Sequence, residues 1–167
     1  MSLRIIKANS VTYENRVSVQ ALDRISLSEG SIEDVDYVDN ILPSIVEKFS
    51  KLHRDKNINP RSKEDIIRYI KDNLILVLID NSYLIGIDVI ESYFSTDVIM
   101  TEEFIFRLDG KENFKAIVQT LDLLKDNLGA NKIQVGTLAC ATERQHLALS
   151  RLYQRQGFVI SNFVLEK

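Results

Sequence analysis

Two adjacent carboxylates, a tyrosine one turn ahead of a forced chain reversal, and a mixed-charge loop that opens a helix are the residues here whose types and spacing could do chemistry. Glu102 and Glu103 lie in a run of strong β-formers, residues 99–108, so they point to opposite faces and only one can line a cleft. A carboxylate so placed can act as a general base. Leu149, Leu152 and Tyr153 fall on one side of a helix, and Gly157 supplies the left-handed residue that ends it before Phe158. Residues 107–113, Arg-Leu-Asp-Gly-Lys-Glu-Asn, precede an amphipathic helix, and main-chain N–H groups at a helix start can hold a pyrophosphate. Arg107 and Lys111 favour an anion there. Asp109 and Glu112 oppose it by roughly 1 kcal/mol each near a solvated surface, so the loop is close to neutral.

Each feature also has a purely structural reading. The glutamates could be one solvated strand-end carboxylate and one salt-bridge partner, and the tail only a capped helix packed on a sheet. His146 suits a helix start. Cys140, flanked by alanines, reads as a packing residue, because no second reactive group is fixed near it in sequence. The basic residues Lys51, Arg54, Lys56, Arg61 and Lys63 alternate with Asp55, Glu64 and Asp65, the pattern of a solvated loop.

Composition narrows the classes. The 167 residues are 45% hydrophobic and 27% charged, with two prolines and no low-complexity tract, enough for one globular domain with a substantial core. A net charge of −3 creates no field that would concentrate a polyanion, so a nucleic-acid contact would have to rest on the basic loop alone. A single cysteine excludes an intrachain disulfide framework and fits a reducing compartment, so a cytoplasmic location is expected. No basic segment followed by an apolar run opens the chain, and no stretch nears the roughly 20 apolar residues of a membrane span.

The elements that must position these residues follow from periodicity. Residues 3–8 and 16–22 are expected as a β-hairpin. Ser31 should cap a long helix with apolar positions Val35, Val38, Ile41, Leu42, Ile45, Val46, Phe49 and Leu52, which Pro43 should kink or split. Ser62 and Asp65 open a second helix, through Lys71. Residues 74–80 and 83–90 read as a hairpin of buried strands, 99–108 as a third strand, 112–128 as an amphipathic helix ending at Gly129, and 132–138 as another strand. The tail helix and a last strand, 158–165, complete one α/β domain over 1–167, a mixed sheet flanked by helices with residues 1–24 as additional strands.

The tail, His146-Leu-Ala-Leu-Ser-Arg-Leu-Tyr-Gln-Arg-Gln-Gly-Phe158, resembles the last helix of the GNAT superfamily of acyl-CoA-dependent N-acetyltransferases, where the pattern is Asn-x-x-Ala-x-x-Leu-Tyr-x-x-x-Gly-Phe. Leu152, Tyr153, Gly157 and Phe158 match; His146 and Leu149 replace Asn and Ala. The order strand, two helices, three antiparallel strands, helix, strand, helix, strand is also the GNAT order, over about residues 25–167. The chain ends about one strand short of the usual GNAT end. The N-terminal hairpin, or a strand exchanged between subunits of a homodimer, would cover the edge so left.

The resemblance implies transfer of an acetyl group from acetyl-CoA to a primary amine of a small molecule or protein, with Glu103 or Glu102 as general base and Tyr153 protonating the departing thiolate. It implies that the backbone of the strand bearing Phe104 and Phe106 pairs with the pantetheine arm. Arg107, Gly110, Lys111, Glu112 and Asn113 would lie along the pyrophosphate, and His146 would also contribute to the cofactor site. The superfamily loop reads Arg/Gln-x-x-Gly-x-Gly/Ala. Aligned on the distance to Gly129 it falls on residues 109–114, with Glu112 and Phe114 at the glycine positions; shifted by two, it recovers Arg107 and Gly110. An acetyltransferase and a GNAT-like binding or assembly module that has lost its cofactor are therefore the two readings to separate.

Overall fold

The computed structural model describes residues 1–7, 21–22, 25–53, 61–111, 113–136 and 143–161. They fall into two units, Met1–Gly136 and Thr137–Lys167. In the first unit the strands are β1 (Ser2–Lys7), β2 (Ala21–Leu22), β3 (Ile25–Glu29), β4 (Ile75–Ile79), β5 (Tyr83–Glu91), β6 (Val98–Arg107) and β7 (Lys132–Gln134). They make one mixed sheet in the order β2-β3-β1-β4-β5-β6-β7. Its helices are α1 (Ile32–His53), α2 (Lys63–Asn73) and α3 (Phe114–Asn127); the second unit carries α4 (Glu143–Arg155).

β4 is buried along its whole length and β5 over its first five residues, as continuous apolar runs require when both faces of a sheet are covered. One face is closed by α1 and α2. Val38, Leu42, Ile45 and Val46 of α1 and Ile70 of α2 pack with Ile6, Leu76, Leu78, Leu84 and Phe104 from alternate strand positions. The residues between them on the strands, Val77, Ile79, Ile85, Ile87 and Met100, are equally buried on the other face. The helix termini are capped as the sequence suggests. Ser31 Oγ accepts from Asp34 N while the Asp34 carboxylate accepts from Ser31 N, and Ser62 Oγ accepts from Asp65 N. Pro43 lies inside α1 without splitting it, because buried positions before and after it hold the helix to one core.

The N-terminal residues add strands, but their pairing differs from the expected hairpin. β1 lies inside the sheet, parallel to β3 and antiparallel to β4, while Ala21 and Leu22 pair with β3. Leu3 and Ile5 are buried on one face of β1 and Ile6 in the α1 core on the other. The added strands lie at the sheet end opposite β7, so they do not cover the β7 edge. Residues 8–20 of the expected hairpin, 137–138 of the seventh strand and 162–165 of the last strand lie outside the described residues. Residues 158–161 form no strand. β6 and β7 are parallel across α3, as the crossover rule predicts.

Hydrogen bonds close the β5–β6 connection. Ser92 N donates to Asp97 O at 2.9 Å, Val98 N donates to Asn131 Oδ1 at 3.2 Å, and Lys132 Nζ reaches Asp97 Oδ2 at 2.9 Å. The Lys132 hydrogen bond, then that of Ser95, holds the Asp97 carboxyl below its ordinary 3.8. A carboxyl with a lowered folded-state pKa stabilises the fold above the unfolded value and loses that contribution as pH falls through the folded value, because the unfolded chain takes up the proton first. Urea midpoints at pH 6 and pH 3 should therefore fall less on acidification in Asp97→Asn than in the wild type. Equal falls would show that the contact carries no acid sensitivity.

In the second unit Tyr153 is buried and its ring meets Phe158 edge-on, with centroids 5.1 Å apart. Gly157, at φ 92°, ends α4, and Phe158 N donates to Tyr153 O at 3.2 Å. The expected C-terminal cap is therefore present.

Candidate active site

β6 is ten residues long, but β7 pairs with only three of them: Ile99 with Lys132, Met100 with Ile133 and Thr101 with Gln134. Among the described residues β7 ends there, while β6 runs on from Glu102 to Arg107. Among the described residues β6 therefore has no β7 partner beyond Thr101, at the carboxyl ends of two parallel strands, the place where open α/β sheets bind ligands.

The end of that pairing coincides with an irregularity in β6. Gly86 of β5 faces Phe104 and Ile87 faces Glu102, which leaves Glu103 as an extra residue, a β-bulge. Cross-strand partners share a face, so Glu102 lies with Ile87 on one side. Glu103 lies on the other, where the Thr101 hydroxyl donates to its Oε1 at 3.1 Å. The two glutamates therefore do point to opposite faces. Thr101 is half-buried, opposite Asp88, whose backbone oxygen is 3.4 Å from the same hydroxyl. Thr101 was legible as a neighbour from the two-residue strand period alone; the bulge was not, because it depends on the β5 register.

Phe104 and Phe106 face α1, each 6.1 Å from the Phe49 ring, and Lys48 Nζ lies 5.1 Å over Phe106. Their rings serve the core, so what they offer a pantetheine is their backbone.

The loop between β6 and α3 is organised by contacts within the protein. Arg107 donates to Tyr83 Oη at 3.0 Å and lies over the same ring. Gly110 N donates to Asn81 O and Leu108 N to Ser82 O, tying the loop to the β4–β5 turn. That turn has Asp80 at φ 42° and Asn81 at φ 59°, both left-handed, as the two central residues of the turn that Ser82 N closes on Ile79 O. A Cβ on Gly110 would lie 2.5 Å from Ser82 Cα, so its missing side chain has a packing reason. Asn113 is the N-cap of α3, with Oδ1 accepting from Lys115 N at 2.9 Å. The helix thus begins two residues later than the sequence suggested. Lys111 is exposed, and Glu112 lies outside the described residues.

Tyr153 and the half-buried His146 belong to the second unit, the glutamates and the loop to the first. Among the described residues no three His, Cys, Asp or Glu side chains gather as a metal site would require, and no helix is long and apolar enough to cross a membrane.

No protein-family model matches the chain, and no curated protein matches it in sequence. Solved structures do match in fold. An aminoglycoside acetyltransferase from an uncultured soil metagenomic sample superposes with a TM-score of 0.53 at 15% identity, over 83% of this chain and 93% of its own. A candidate acetyl transferase from Pyrococcus furiosus gives 0.55 at 13% identity, over 79% and 93%. A transcriptional regulator from Bacillus halodurans C-125 gives 0.54 at 17% identity, over 77% and 93%. The chain has the GNAT fold, a mixed sheet with helices on it, shared with acetyltransferases.

Proposed function

We propose that this protein is an N-acetyltransferase that passes an acetyl group from acetyl-CoA to a primary amine. The observation that carries the reading is that, among the described residues, β6 runs on past its last β7 partner at Thr101 and bears the bulged Glu103 carboxylate there. An extended pantetheine arm pairs with a strand edge as an added strand would. Glu103 takes a proton from the attacking amine, directly or through water, as the new C–N bond forms and the thioester C–S bond breaks. The resemblance gives Tyr153 the part of returning a proton to the thiolate. Glu103 is preferred to Glu102 because the bulge re-aims it and Thr101 holds its carboxylate.

A second reading has its own support. Arg107, Gly110 and Asn113, expected along the pyrophosphate, each have a partner or a packing role inside the protein. A GNAT-fold binding module without cofactor accounts for that loop equally well, and one structural neighbour is a transcriptional regulator.

Acetyl-CoA separates the two. At a hundred times its dissociation constant a ligand adds about 2.7 kcal/mol, which at about 2–4 °C per kcal/mol raises the melting midpoint by roughly 5–10 °C. The enzyme reading predicts this shift, together with release of free CoA in the presence of spermidine, kanamycin or a lysine-ended peptide. No shift at millimolar acetyl-CoA, and no CoA release, would favour the module.

A further inference from the structure

We infer that Thr101 is a positioning residue for the Glu103 carboxylate, and that its hydroxyl holds Oε1 in both charge states of a general base. The inference rests on the acetyltransferase reading above.

A bulged residue is not held by the ladder, so the pleat alone does not fix where the Glu103 side chain points. The next residue, Phe104, is fixed by packing in the α1 core. Among the described residues the one hydrogen-bond partner of the Glu103 carboxylate is Thr101 Oγ1, at 3.1 Å. Threonine suits the task because its β-branched side chain has few rotamers, so its hydroxyl is held in place before the bond forms.

The hydroxyl has a single proton and two acceptors within reach, Glu103 Oε1 at 3.1 Å and Asp88 O at 3.4 Å. With Glu103 ionised, the proton is donated to the carboxylate. The amine proton goes to the carboxylate oxygen turned away from Thr101, so Oε1, now the carbonyl oxygen of the acid, still accepts from the hydroxyl, with the Asp88 carbonyl as the second acceptor in reach. No bond of Thr101 breaks, the proton gained by Glu103 is the one lost by the amine, and both states are satisfied without moving a heavy atom.

The test is the kinetics of the full chain with acetyl-CoA and spermidine. Thr101→Val should lower kcat by about tenfold to a hundredfold, the worth of a hydrogen bond to a charged group, with KM for acetyl-CoA within about twofold. Thr101→Ser keeps the hydroxyl and should restore kcat to within about threefold. In a Glu103→Gln background the Thr101→Val loss should nearly vanish, since residues acting through one another are not additive. A merely structural threonine would give losses that add, and serine would not rescue them. If the wild type turns over and Thr101→Val is unimpaired, or Thr101→Ser is as damaged as Thr101→Val, the Thr101 role falls alone. If the wild type neither binds acetyl-CoA nor releases CoA with spermidine, kanamycin or the peptide, the enzyme reading falls and takes this role with it.

Discussion

Glu103→Gln should lower kcat by about 100- to 10,000-fold, the usual worth of a positioned general base, or roughly 3–5 kcal/mol of barrier. The amide keeps the size of the side chain and can still accept from the Thr101 hydroxyl at the bulge, but it cannot take a proton. KM for acetyl-CoA should change little, because the cofactor contacts assigned to β6 are made by backbone. Release of CoA with an amine acceptor measures the loss, and the urea midpoint of the variant shows whether the fold is intact. The same loss in Glu102→Gln, with Glu103→Gln unaffected, would move the base to the other face of β6.

Gly110→Ala should cost about 3 kcal/mol of stability, at the upper end of the usual penalty for overpacking. The added Cβ would collide with Ser82, including its Cα at 2.5 Å, which is backbone and cannot swing aside. Nor can the turn bearing Ser82 retreat easily. Ser82 N donates to Ile79 O at 2.6 Å, Asp80 exchanges hydrogen bonds with Ser2, and Arg4 donates to Asn81 Oδ1 at 2.7 Å while its guanidinium pairs with Asp34 at 2.9 Å. Relief would therefore come from the loop, through loss of the Leu108 and Gly110 bonds to the turn. The control is Gly136→Ala, where a Cβ meets nothing within 4 Å and the change should stay within about 0.5 kcal/mol. A Gly110→Ala protein as stable as the wild type in urea would show that loop and turn separate freely.

Local chemistry made much of this legible. Ser31, Ser62 and Gly157 cap helices because their side chains, or the lack of one, act on backbone a few residues away. β4 and β5 were readable because a strand covered on both faces must be apolar throughout. Pro43 does not split α1, because its local cost is outweighed by burial on both sides of it. Arg107, Gly110 and Asn113 were expected at a phosphate because each residue type suits one. Their actual neighbours, Tyr83, Ser82 and Lys115 N, are mostly supplied by the β4–β5 hairpin, which lies beside the loop only in the folded sheet.

The sequence by itself determined the helices with their caps, the strands from β4 to β6, the core stripes and the opposed glutamates, all consequences of residue type and of periods of 3.6 and 2, but not β3 or the absence of a strand over 158–161. Only the tertiary structure decided that β1 lies inside the sheet, that the described pairing of β6 with β7 stops at Thr101, and that Glu103 is the residue left over. Those facts depend on which strand pairs with which and in what register, and register is set jointly by distant segments, so no single stretch of chain contains it.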